Sequence, residues 1–212
     1  MKTSRPRPLA GWLGPFLVLV AIPALFLLGC GYFRSTNPMP ATGNALEVEG
    51  PVWFEDVTDE LGLDFVHDSG PTNTYFMPQS FGSGCAFFQD GDTLYIYLLQ
   101  GAGPDSKSVN RLYKQLPGGK FQDVTEGSGL GVAGYNLGVA VADVNNDGLP
   151  DILLTQYLGV KLFLNLGGGR FEDVTEEAGL SNPLWSASAA FLDYDRDGWL
   201  DLVVVNYLNY DR

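Results

Sequence analysis

The sequence predicts an all-β chain: a partial β-propeller of four-stranded blades, about two and a half of them, with an orphan outer strand ahead of the first. Three observations predict it. A short phrase recurs as WFEDVTDELGL at 53–63, KFQDVTEGSGL at 120–130 and RFEDVTEEAGL at 170–180. An acidic stretch recurs with the period of the last two copies, as DVNNDGLPD at 143–151 and DYDRDGWLD at 193–201. Between copies the order is constant: an apolar run, the acidic loop, a second apolar run, a short link and a glycine-tipped hairpin. Four strands per period of about 40–50 residues is how a propeller blade reads.

Taken in chain order, the first element is a lead. Lys2, Arg5 and Arg7 precede an uncharged run from Pro8 to Phe33, the pattern of an export signal or membrane anchor helix whose basic end stays inside. LLGC at 27–30 resembles a bacterial lipobox, with Cys30 as the lipidated first residue of the mature chain. The run also has the roughly 20 apolar residues that cross a bilayer uncleaved. Lipoprotein, uncleaved anchor and simple secretion stay open, and each places residues 35–212 outside the cytoplasm. Residues 34–51, rich in proline and glycine, read as a linker. The repeats then occupy 52–212.

The first blade is expected at 84–88, 94–100, 111–115 and 120–124, and the second at 138–143, 151–156, 160–165 and 170–174. The third shows its inner pair, 188–193 and 201–206. The strand at 53–57 matches the outermost strand of a blade. GVAVAD, DILLTQ, SAAFLD and DLVVVN are short apolar runs bounded by glycine and aspartate, which read as buried strands. RLYKQLPGGKFQDV and KLFLNLGGGRFEDV carry glycines at their tips, supplying the positive φ of tight turns. Propellers typically close with about 4–8 blades. The expectation is that this chain is the N-terminal piece of a longer ring whose last blade the 53–57 strand completes.

The acidic loops carry the chemistry. Asp143, Asn145, Asp147 and Asp151 stand at positions 1, 3, 5 and 9 of one, with Gly148 at 6; Asp193, Asp195, Asp197 and Asp201 stand likewise in the other, with Gly198. Calcium takes six to eight oxygens on a flexible loop turned by glycine. Leu149 and Trp199, at position 7, offer main-chain carbonyls. An EF-hand would close with glutamate at position 12 between helices; here Leu154 and Val204 stand there, between strands. The simpler reading is a polar turn, since aspartate and glycine favour turns. A turn has no need of oxygens at four alternating positions, and seven clustered carboxylates repel without a counter-ion. Two calcium sites follow, the one containing Asn145 the weaker. In the first blade Gln89 replaces the first aspartate, leaving Asp90 and Asp92 in a shortened loop; no competent site is expected there.

The FEDVT–GL phrase, spaced from A-x-x-D-x-[DN]-x-D-G-x-x-D and a following apolar strand, resembles FG-GAP/VCBS repeats, as in the integrin α-subunit propeller and the cartilage acidic protein family. FEDVTEEAGL together with SAAFLDYDRDGWLDLVVVNY is most similar to bacterial members of the latter, which are typically exported and carry a C-terminal ASPIC/UnbV segment. The resemblance covers about 53–212. It implies a propeller with calcium in the turns Asp143–Asp151 and Asp193–Asp201.

The formal charge of −13, more negative still once Lys2, Arg5 and Arg7 are removed, argues against nucleic-acid binding, which needs a basic footprint. Cys85 aligns with Val139 and Ala189 and reads as a small buried residue. His67 lies near Asp64 and Asp68 without a nucleophile or ligand motif beside it and reads as a loop residue. Trp53, Phe54, Phe121, Phe171, Trp185 and Trp199 read as packing aromatics, with a sugar platform as the alternative. The function expected is a non-enzymatic, calcium-stabilised module that binds an extracellular protein or glycan at the cell surface, held to the membrane through its N-terminus. A propeller-based lyase or hydrolase drawing on Asp64, Asp68 or Glu126 is the competing reading, and a truncated fragment without independent function the third.

Overall fold

The computed structural model describes residues 54–71 and 76–208. The apolar lead, Cys30, the linker and Trp53 lie outside the described residues. Among those described, no helix is long and apolar enough to cross a membrane. The chain divides into two compact units, one of which spans Ala21–Val57. Within it, Phe54–Val57 carry no strand. This corrects the expected orphan strand at 53–57: an outermost strand is held by a ladder to its inner neighbour, and no described residue supplies one.

In the other unit the strands form three antiparallel sheets in chain order. The first is β1 (Cys85–Asp90), β2 (Thr93–Leu98), β3 (Arg111–Gln115) and β4 (Phe121–Asp123). The second is β5 (Asn136–Ala142), β6 (Asp151–Gln156), β7 (Gly159–Asn165) and β8 (Phe171–Asp173). The third is the pair β9 (Ser186–Leu192) and β10 (Asp201–Asn206). Each strand pairs with its neighbour in sequence, so every sheet is a meander. The inner strands β1, β5 and β9 stand side by side, which is the blade arrangement of a propeller.

Strand alternation decides what each blade faces. Phe88, Tyr95, Tyr97, Leu99 and Leu112 of the first blade bury against Ile152, Leu154, Phe163 and Phe171 of the second. Leu153, one residue out of phase, joins Leu162 and Val174 on the opposite face, against Ala189, Phe191 and Leu202 of the third. The same rule corrects the reading of Cys85. Ala86 and Phe88 turn toward the second blade, so Cys85 and Phe87 turn away, where no described blade stands. Cys85 is exposed, and Phe87 is 63% exposed.

The D-V-T phrase has a structural job that its recurrence hides. The Asp123 carboxylate accepts the Thr125 N–H at 2.8 Å, and Thr125 Oγ1 accepts the Leu112 N–H at 2.9 Å. Asp173, Thr175 and Leu162 repeat both bonds at 3.1 and 3.0 Å. The outer edge of each blade is thus closed after β4 and β8 by a side chain where the backbone ladder stops. The turn that follows docks on the next blade. Ser128 O accepts the Phe171 N–H at 2.7 Å, and a Cβ on Gly129 would lie 2.2 Å from Phe171 O. At φ +84° only glycine fits there. Gly62, in the earliest copy of the phrase, faces Phe121 O of the first blade in the same way, at 3.2 Å.

Two short helices, α1 (Thr58–Leu61) and α2 (Met77–Ser80), interrupt the β pattern. Phe76 and Phe81, flanking α2, enter a chain of edge-to-face rings. Phe76 meets Tyr135 and Tyr157, Tyr157 meets Trp185, and Trp185 meets Phe81 and Tyr207, with centroids 5.0–5.5 Å apart. This cluster sits where β5 and β9 begin and β6 and β10 end. The acidic loops sit at the other end of the same strands.

Candidate metal centre

The loop between β5 and β6 and the loop between β9 and β10 adopt one hydrogen-bonded frame. Asp143 accepts the N–H of Asp147 on Oδ1 at 3.0 Å and that of Gly148 on Oδ2 at 2.8 Å. Asp193 accepts Asp197 and Gly198 in the same order, both at 3.1 Å. The Leu149 N–H meets Asp147 Oδ1, and the Trp199 N–H meets Asp197 Oδ1, each at 2.8 Å. Asp151 and Asp201 reach back to the N–H groups of Val144 and Tyr194 at 2.9 and 2.8 Å. Positions 4 and 6 take positive φ: Asn146 at 57° and Gly148 at 88°, Arg196 at 64° and Gly198 at 88°. The left-handed turn curls the chain so that positions 1, 3 and 5 converge.

The convergence fits a hard cation. Asp193, Asp195 and Asp197 each bring one carboxylate oxygen within 4.8 Å of the others. Oxygens that share one calcium at about 2.3–2.6 Å lie no farther apart than about 5 Å. The backbone bonds leave each carboxylate lone pairs to spare. In the other loop, Asn145 Nδ2 donates to Asp147 Oδ2 at 2.8 Å: an amide N–H lies against the carboxylate where the Asp193 loop sets the like charge of Asp195 beside Asp197. At position 7 the N–H groups of Leu149 and Trp199 are tied to the loop, and Trp199 is 41% exposed.

The ninth position separates the two loops. Asp151 is fully buried, because Asn165 at the end of β7 donates its N–H to Asp151 Oδ1 at 2.8 Å and covers it. Asp201 is exposed. Burial pushes the Asp151 carboxyl up to about 6; the Asn165 and Val144 N–H groups oppose this, and the Asp147 and Asp143 charges add to it. Ionising Asp151 without a cation therefore costs stability as pH rises through about 6, and a bound dication offsets that cost.

The first blade closes differently. Its inner strands join through the tight turn at Asp90–Thr93, with Gly91 at φ 57°. Asp90 Oδ2 accepts the Gly168 N–H from the hairpin tip of the second blade, at 2.9 Å. A direct bond between blades stands where the others have an acidic loop.

The residues that suggested acid–base chemistry are not assembled for it. Asp64 accepts the Tyr113 hydroxyl at 2.7 Å. Asp68 accepts the Ser108 hydroxyl and the Gly70 N–H, and these bonds hold its carboxyl below the usual range. Both fasten the 58–71 segment to the first blade. His67 and Glu126 are exposed.

Sequence reasoning missed the polar clasps between blades. Asn136, fully buried, donates to Gln100 O at 2.8 Å and Asn110 Oδ1 at 2.9 Å, and accepts from Gln156 Nε2 at 2.6 Å. Asn182 donates to Ser186 Oγ and Asn206 Oδ1, both at 2.9 Å. The available signal was an amide at the end of each second strand, Gln156 and Asn206, in otherwise apolar surroundings.

No curated protein matches the chain. A model described as FG-GAP-like repeat matches residues 87–154 and 143–204. The first match begins in β1 and the second ends in β10; they overlap across the acidic turn before β6 and together span more than half of the sequence. With the meander blades, the docked D-V-T turns and the twin loops in place, the chain belongs to the FG-GAP-like repeat family.

Proposed function

We propose that this chain is a calcium-stabilised β-propeller-type interaction module, exported and held at the cell envelope, that binds a protein or glycan without catalysing a reaction. One observation supports the calcium reading above others. Two loops with different sequences at positions 2, 3, 4, 7 and 8 adopt the same carboxylate-converging frame, closed by the same bonds. Asp143, Asn145, Asp147 and Asp151 would hold one ion with the Leu149 carbonyl, and Asp193, Asp195, Asp197 and Asp201 the other with that of Trp199. The ion supplies charge neutralisation and ties two inner strands at their turn. The FG-GAP-like repeat supports an interaction role, and the engagement of Asp64 and Asp68 in packing supports the absence of catalysis.

Calorimetric titration of the chelator-stripped chain should show two calcium equivalents, the Asn145 loop the weaker. A stripped, folded chain that takes up no calcium refutes the calcium reading. A glycan and protein array run beside a hydrolysis assay tests the interaction reading; turnover would sink it. For the envelope, incorporation of labelled fatty acid that is lost in Cys30→Ala identifies a lipoprotein. An unlabelled but membrane-bound chain identifies an uncleaved anchor.

A further inference from the structure

Asn146 reaches out of its own loop. Its Nδ2 donates to Gly198 O at 3.2 Å, across 52 positions of sequence, from one acidic loop into the next. The two ends of that bond sit at framing positions. Asn146 lies between Asn145 and Asp147, held at φ 57°. The N–H of Gly198 is itself bonded to Asp193 Oδ2 at 3.1 Å. The peptide that carries the Gly198 C=O has its N–H, that of Trp199, bonded to Asp197 Oδ1 at 2.8 Å, so a path runs from Asp193 and Asp197 of one loop through Gly198 to Asn146, flanked by Asn145 and Asp147 of the other.

We propose that Asn146 couples the two loops, so that a divalent cation in the Asp193–Asp201 loop raises the affinity of the Asp143–Asp151 loop for its own. The inference rests on the reading of both loops as calcium sites. A cation that fixes Asp193 and Asp197 also fixes the peptides on both sides of Gly198, and its carbonyl then holds Asn146 in the left-handed conformation that converges Asn145 and Asp147. The second ion meets a loop already ordered and loses less chain entropy on binding. Linkage makes the effect reciprocal. It also orders filling. The loop with four carboxylates loads first by ligand charge, and the Asn145 loop, with three, gains the assistance. One neutral hydrogen bond corresponds to a factor of roughly two to ten in affinity.

Repulsion between two dications acts in the opposite sense, so the test holds charge constant. Asn146→Gly permits the positive φ and removes the amide donor, and its added backbone freedom is common to both members of each comparison. Calcium is titrated by calorimetry into the full chain carrying no substitution, Asn146→Gly, Asp193→Ala, or both. Asp193→Ala is expected to weaken the Asp143–Asp151 loop by about two- to tenfold more when Asn146 is present than when it is glycine. The charge change is the same in both backgrounds, so the ratio reports the bond. Reciprocally, Asp147→Ala should weaken the Asp193–Asp201 loop more with Asn146 than without it. Equal factors in the two backgrounds overturn the coupling while leaving the calcium sites standing. No calcium uptake by the unsubstituted chain overturns both. Matching thermal unfolding of Asn146→Gly and the unsubstituted chain in chelator shows that the fold is unchanged.

Discussion

At the scale of single residues, aspartate does two different jobs in this chain, and its surroundings decide which. Asp193 and Asp143 organise loops by accepting two N–H groups each. Asp193→Ala should abolish calcium uptake at its own loop, a loss of at least about 100-fold in affinity, as charge-assisted ligation by a carboxylate disappears. Asp123 and Asp173 cap turns instead. Burial alone would raise their carboxyls, but the Thr125 bonds and Arg111 hold Asp123 below the usual range, and Lys161 with the Thr175 bonds does the same for Asp173. A lowered folded pKa means stabilisation that is complete above the ordinary carboxylate range and is lost as pH falls through the folded value. Thermal unfolding in chelator should therefore show part of the acid destabilisation below about pH 4 removed by Asp123→Asn with Asp173→Asn. Unchanged acid sensitivity in the double variant would show that these caps carry none of it. The acidic loops were legible in the sequence because both repeat one spacing of side-chain oxygens around a glycine. The separate fates of Asp151 and Asp201 were not, because Asn165 covers one from the neighbouring strand β7, and strand pairing is not written in the loop's own residues.

At the scale of elements, the repeat phrase is a docking device, and its glycine is its tightest point. Gly129→Ala places a Cβ against Phe171 O at a positive φ. It should cost more than about 2 kcal/mol in denaturant unfolding, whereas Gly127→Ala, with open space around it, should cost only the backbone strain. The inner clasp is the second device. Asn136→Ala takes the Gln156 amide's partner and one of the two bonds at both Asn110 Oδ1 and Gln100 O, which should cost about 1–3 kcal/mol. A change under about 0.5 kcal/mol would mean that the clasp contributes no stability. The strand ranges expected from apolar runs lie within two residues of those observed, because runs and glycine bounds are local properties. The helix at Met77–Ser80 and the ring cluster around Trp185 were not expected. Phe76, Tyr157 and Tyr207 are far apart in sequence, and only blade stacking brings them to one rim.

At the scale of the molecule, the loops bear on stability as well as on ligand chemistry. Each ties two inner strands at their turn, so ions that bind only the folded chain should raise its stability by mass action, by about 2.7 kcal/mol per site at a hundredfold excess over Kd. For a chain of this size that corresponds to roughly 5–10 °C in Tm per site. Chelator should lower the Tm by that amount and added calcium restore it; a Tm indifferent to both in a chain loaded beforehand contradicts a structural ion. The first blade is expected to respond least, since Asp90 already bonds Gly168 directly.

What the sequence determined by itself was the unit and its repetition: a four-stranded period, an acidic loop with ligand spacing, and a recurring phrase after each blade. These are local, because strand alternation, turn chemistry and ligand spacing are written in neighbouring residues. What the tertiary structure alone decided was which side of each strand is buried and which loop residues meet. Cys85 read as buried from its alignment, yet it is exposed because Ala86 and Phe88 take the face toward the next blade. Asn146 reaches Gly198 of the next loop with its amide. Both depend on how blades stack, and stacking is set by contacts between residues roughly 50 positions apart, which no local pattern encodes.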